Sequence, residues 1–218
     1  MTTLLLPGYR GSGEGHWQRL WLEQEPGARM VVQDDWDRPR LAAWLTRLES
    51  AVARAEGPVL VAHSLACMLV AHLALRSVTA RRVAGALLVA PADIEARRPG
   101  LAELASFAPI PRDRLPFPAI VVASRNDPYM TFERAASLAD GWGADLVDLG
   151  EAGHINVDSG HGPWPYGHDL ARLLRRARPE ADRRPWQPPS RSRPAGAASP
   201  RLDPPSRIPT PSPFPALP

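Results

Sequence analysis

"VLVAHSLACMLVAHLALR", residues 59–76, joins an apolar run to a helix-compatible run through a single serine. Val59 to His63 is a short Val-rich run, suited to a strand buried on both faces. The residues after Ser64 suit a helix, rich in Leu and Ala and free of Gly and Pro. Strand, sharp turn and helix with Ser64 at the joint is the local shape that presents a nucleophilic hydroxyl above a sheet edge, at a helix N-terminus. The stretch nearly spells G-x-S-x-G, but Ala62 and Ala66 hold the glycine positions. Glycines sit there because backbone and helix crowd a strained turn. Alanine adds one methyl group, so the turn stays sterically accessible. On these residues alone the motif is moderately specific, and Ser64 could instead be merely a helix cap.

Working outward, apolar runs alternate with amphipathic stretches, the pattern of a mostly parallel sheet with helices on both faces. Strands are expected at 2–6, 29–33, 59–63, 84–90, 119–124 and 144–149. Helices are expected around 16–25, 39–55, 65–77, 131–142 and 166–176. Thr131 suits an N-cap, with Glu133 in the first turn. "PGLAELASFAPIPRDRLPFP" (99–118) is too proline-rich for a long helix and is expected to wrap over the strand ends.

A serine nucleophile requires a base, and the base requires an orienting carboxylate. In the α/β-hydrolase order these follow on loops after later strands, Asp before His. Asp127 lies three residues beyond the expected fifth strand, and His154 lies five beyond the sixth in a glycine-bearing loop. Either residue alone is weak: a loop Asp usually forms a turn and a loop His is usually solvated. Together they fall, in order, at the sheet edge that Ser64 occupies. His63 should point away from Ser64 by strand alternation, His72 is mid-helix, and His161 and His168 lie past the expected catalytic loop. Two backbone N–H groups must meet the oxyanion: Leu65, directly after the nucleophile, and Tyr9, in the glycine-rich loop "PGYRGSGEGHW" (7–17). That loop could instead hold phosphate, but it matches no phosphate-binding fingerprint. Trp17, Phe107, Ile110, Tyr129, Ile155 and Trp164 lie on loops that could wall a substrate pocket, or simply pack.

Composition bounds the rest. The net charge is +3, yet residues 1–177 carry 19 Arg against 20 acidic residues, while 178–218 carry seven Arg against three. The basicity belongs to the C-terminal stretch, so no nucleic-acid face is expected. Residues 179–218 hold 13 of the 26 prolines. The expectation is a hydrolase domain over 1–177 and a disordered Pro/Arg/Ser-rich tail over 178–218. The tail's Pro-x-x-Pro spacings could dock a partner, though an unselected extension explains them too. One cysteine, Cys67, excludes an internal disulfide and fits a cytoplasmic protein. No signal peptide, membrane span or metal-ligand spacing is visible, so no metal, cofactor or membrane partner is expected.

"PGYRGSGEGHW", "VLVAHSLAC", "LPFPAIVVASRNDPYMTFERA" and "LGEAGHINVDSGHGPWPYG" together resemble the small α/β-hydrolases of the retinoblastoma-binding-protein-9 type, widespread in bacteria. The resemblance covers residues 2 to about 176. It implies a compact fold without a large lid domain, a triad at Ser64, Asp127 and His154, and carboxylesterase-like or aminopeptidase-like hydrolysis of a small ester or amide. The departures are Ala62 and Ala66. The Leu-x-Cys-x-Glu partner motif behind that family's name is absent, so that partnership is not implied. Two further readings fit the sequence: a weakly active or inactive binding module whose tail recruits partners, and an acyltransferase sharing the acyl-enzyme.

Overall fold

A computed structural model describes residues 2–96 and 101–176. The tail expected from residue 178 lies outside the described residues. The elements in chain order are β1 (Thr3–Leu6), α1 (Trp17–Gln24), β2 (Ala28–Met30), α2 (Leu41–Arg54), β3 (Val59–His63), α3 (Leu65–Arg76), β4 (Gly85–Val89), β5 (Ala119–Ala123), α4 (Phe132–Trp142), β6 (Asp145–Asp148) and α5 (Pro165–Arg176). Short 3-10 turns cover Val78–Arg82, Leu101–Phe107 and Val157–Ser159. The six strands form one parallel sheet in the order β2-β1-β3-β4-β5-β6.

Strand alternation feeds two cores. Leu60 and Ala62 of β3 face one layer with α2, α3 and α4, while Val59 and Val61 face the other with α1 and α5. Both faces are therefore covered, which is why the strands read as continuous apolar runs rather than alternating ones. Every α3 side chain from Leu65 to Leu73 is buried, so this helix has little amphipathic stripe. The chain runs from β1 outward to β2 at one edge, then returns to β3 and proceeds through β4, β5 and β6 to the other. The carboxyl ends of β1 and β3 thus flank the point where the winding reverses, the crevice in which open α/β sheets place ligands.

The expected elements appear with local corrections. β2 stops at Met30 although the sequence suggested 29–33; Val31 N–H still donates to Leu5 O at 2.9 Å, but Val32 already stands exposed. Thr131 caps α4 by accepting from Arg134 N–H, and Gly143 closes that helix at φ +63°. Residues 101–118 hold only a 3-10 turn and irregular chain, tied down by Trp142 Nε1–H donating to Pro111 O and by Ile110 N–H donating to Glu95. No helix among the described residues is long and apolar enough to cross a membrane.

Candidate active site

Ser64 sits between β3 and α3 at φ 56° and ψ −122°. That left-handed backbone is strained for any residue but glycine. Its N–H donates to Val89 O at 3.0 Å, and Ala62 and Ala66 are fully buried on either side. The two alanines do not prevent the turn.

Ser64 Oγ lies 2.9 Å from His154 Nε2. His154 Nδ1 lies 3.0 and 2.9 Å from the two carboxylate oxygens of Asp127. An ionised carboxylate only accepts, so Nδ1 carries the proton and leaves Nε2 to accept from the serine hydroxyl. Asp127 also accepts from Tyr129 N–H at 2.8 Å. Its side chain is 3% exposed and that of His154 is 9%. The three residues follow β3, β5 and β6, as their sequence positions suggested.

The loops bearing Asp127 and His154 are tied together by Ser124 and Asn126, which no motif marked. Ser124 Oγ donates to Asn126 Oδ1 and accepts from Ala152 N–H. Asn126 Oδ1 also accepts from Gly153 N–H at 2.7 Å. Trp17 Nε1–H donates to Ile155 O at 2.8 Å, and His63 Nε2 donates to His154 O at 2.9 Å. Consecutive carbonyls of the His154 loop are thus pinned by buried side chains from α1 and β3. Ile155 is held at φ 51° by this arrangement. Strand alternation does send His63 toward the α1 face, but there it supports the loop of His154. Burial, with His154 beside it, pushes His63 well below the usual histidine range, so it is a neutral donor.

Gly8 packs against the turn so closely that a Cβ there would stand 2.8 Å from Ser64 Cβ, 2.9 Å from His63 O and 3.3 Å from Leu65 N. Among the described residues, no loop or capping hydrogen bond engages the N–H of Tyr9 or of Leu65. Leu65 opens α3, where the first N–H groups have no helical partner. Both residues line a cavity of about 550 Å³ together with Ser64 and His154.

Of the aromatic and apolar residues expected on the pocket wall, Tyr129 lines this cavity. It is half exposed and packs edge-on against His154, ring centroids 4.4 Å apart. Trp17, Phe107, Ile110 and Ile155 are buried in the two cores instead, because the crossing loops press them inward between sheet and helices. Trp164 packs against Trp17 and borders a separate cavity beside Glu25 and Arg172. The remaining wall comes from Arg10, His16, Asp93, Glu103, Leu104, Asn156 and Asp158 among others. Glu103 accepts from Tyr9 Oη at 2.6 Å, so the 101–107 turn leans on the Tyr9 loop. Cys67 is buried beneath the turn, and burial raises its thiol, leaving it protonated. Among the described residues no group of three His, Cys, Asp or Glu side chains is placed to hold a metal ion.

The arrangement invites comparison with known proteins. The family described as serine hydrolase matches the chain over residues 3–173. A solved structure described as a YdeN-like hydrolase of Pectobacterium atrosepticum is 34% identical, covering 80% of this chain and 90% of its own, with a TM-score of 0.70. The ydeN gene product of B. subtilis is 25% identical over 81% of this chain and 99% of its own, at 0.63. Thermogutta terrifontis esterase 2 shares the fold at 14% identity, covering 80% of this chain and 83% of its own, at 0.59. No curated protein matches the chain.

Proposed function

The chain belongs to the serine hydrolase family, and from that premise we propose that it hydrolyses a small ester or amide through an acyl-enzyme on Ser64. The observation that carries this reading is the hydrogen-bonded relay from Ser64 through His154 to Asp127 at the carboxyl edge of the sheet. In this mechanism His154 Nε2 takes the hydroxyl proton as Ser64 Oγ bonds to the substrate carbonyl carbon. Asp127 fixes the tautomer and stabilises the imidazolium. The carbonyl oxygen, now an anion, is received by the N–H groups of Leu65 and Tyr9. Collapse breaks the bond to the leaving group, which departs with the proton from His154. Water then attacks the acyl carbon, His154 again serving as base, and the acid leaves with Ser64 restored.

The close packing of Gly8 on Ser64 and Leu65 supports Tyr9 as the second oxyanion donor. The exposed ring of Tyr129 supports a role as pocket wall. We place the chain within the retinoblastoma-binding-protein-9 type, as a bacterial member with carboxylesterase-like chemistry, on its four motifs. Turnover of 4-nitrophenyl acetate, butyrate and octanoate tests the reading. Ser64→Ala should abolish it and Asp127→Asn should lower kcat by about 10⁴, the loss expected when a triad histidine takes the wrong tautomer. Undiminished turnover in Ser64→Ala would refute it.

A further inference from the structure

His16 lines the cavity beside Ser64 and is 94% buried, with 6% of its surface exposed. It serves as the N-cap of α1, where Nδ1 accepts from Gln18 N–H at 3.2 Å. That bond assigns the tautomer: with Nδ1 accepting, the proton of the neutral ring resides on Nε2. Burial, with His154 nearby, lowers the ring to about 4, so the neutral form prevails at neutral pH. Among the described residues Nε2–H has no hydrogen-bond partner, and it is not one of the fully buried unpaired side-chain atoms. A cap requires only the acceptor atom, and Asn or Ser would supply one more simply. The donor on the far side of the ring is left for something else.

The ring stands at the end of a row of imidazoles. Its centroid is 5.0 Å from that of His63, which is 4.9 Å from that of His154. A substrate held at Ser64 and extending along this wall would pass the His16 ring. The atom can only donate, so its partner is an acceptor. Asp93, Glu103 and Asp158 line the same cavity, and Arg10, the cation lining it among the described residues, faces Asp37 at 4.0 Å. Those carboxylates disfavour an anionic acceptor.

We propose that His16 is a substrate-recognition residue whose Nε2–H donates to a neutral oxygen (hydroxyl, ether or ketone) carried by the substrate beyond the scissile carbonyl. The substrates are then oxygen-bearing small esters or amides rather than plain alkyl ones. The proposal rests on Ser64 being the nucleophile.

The test is a set of matched esters in which one CH₂ becomes O: 2-methoxyethyl against butyl butyrate, and 4-nitrophenyl methoxyacetate against 4-nitrophenyl butyrate. Each ratio of kcat/KM is corrected for the intrinsic reactivity measured with hydroxide. His16→Asn keeps a capping acceptor, since Asn is among the best N-caps, but its shorter side chain sets its amide N–H back from the place of Nε2–H. The wild type should favour the ether member of at least one pair. His16→Asn should cut that preference about five- to tenfold through KM, the yield of one net hydrogen bond, the ether esters losing more than their all-carbon partners. The responding pair identifies the acyl or the alcohol side. Equal ratios in the two proteins would overturn the proposal, as would a uniform loss on all four esters, which marks a structural role. A wild type that turns over none of them would overturn the nucleophile reading and this proposal with it.

Discussion

Replacing Gly8 with alanine puts the geometry of the nucleophile turn under direct strain. The added methyl would lie 2.8 Å from Ser64 Cβ and 2.9 Å from the His63 carbonyl, far inside ordinary van der Waals separation. Neither neighbour can retreat. His63 and Leu65 are buried, and Ser64 is fixed by its bond to Val89 O. The Tyr9 loop must therefore yield by several tenths of an ångström, which would move the Tyr9 N–H away from the oxyanion position proposed for it. Loss of one such donor costs about 10²–10³ in kcat. Overpacking costs about 1–3 kcal/mol, offset by roughly 0.4–1 kcal/mol from the stiffer unfolded chain. The net expectation is about 1–2 kcal/mol of lost stability, too little to unfold an ordinary domain. Kinetics on 4-nitrophenyl butyrate together with a urea titration read both quantities. Gly13→Ala is the control, because nothing lies within 4 Å of a Cβ there, and it should match the wild type within twofold. A Gly8→Ala protein with a rate within threefold of wild type would refute the assignment of Tyr9 as an oxyanion donor.

Other consequences follow from the supports around the relay. His63→Leu leaves the His154 carbonyl without its donor and should lower kcat about tenfold with KM little changed, whereas His63→Gln, which retains an N–H, should recover most of the loss; equal rates for the two variants would contradict a positioning role. Stability should fall on acidification. His16 binds its proton only near pH 4 when folded, against about 6.5 unfolded, so its contribution is complete above pH 6.5 and is lost as pH drops toward 4. At pH 5 the difference is about 2 kcal/mol, and His63 adds in the same direction. Urea midpoints at pH 7 and 5 measure this, and His16→Asn should flatten the dependence; identical midpoints in the wild type would count against it. Ala66→Gly should cost about 1 kcal/mol of helix stability without raising the rate, since Ser64 already attains its left-handed conformation. A marked gain in rate would show that the alanines hold the turn back.

The parallel sheet and the placement of Ser64, Asp127 and His154 were legible in the sequence because each depends on local signals: apolar runs of strand length, and polar residues at their carboxyl ends. Tyr129, expected on the wall, does line the cavity, but the other aromatic residues were not legible. Trp17 and Trp164 come from opposite ends of the described chain yet meet with ring centroids 5.1 Å apart, and nothing in their neighbouring residues separates a wall from a core. The supports of the His154 loop were illegible for a related reason. Ser124, Asn126 and His63 act through bonds to backbone atoms 27 to 91 positions away, and a carbonyl acceptor leaves no trace in the amino-acid identity of its residue. His16 could have been suspected from its place before "WQRLW", where the first helix needs a cap, though not its free donor.

Whether Ser64 is an activated nucleophile is tested by covalent labelling with a fluorophosphonate, the modified peptide being located by mass spectrometry. One adduct on Ser64 is expected, absent in Ser64→Ala and slowed by orders of magnitude in His154→Ala, with both variants folded. A folded wild-type protein that takes no label, or takes it on another residue, would contradict the claim and return the chain to the reading of a hydrolase-fold binding module.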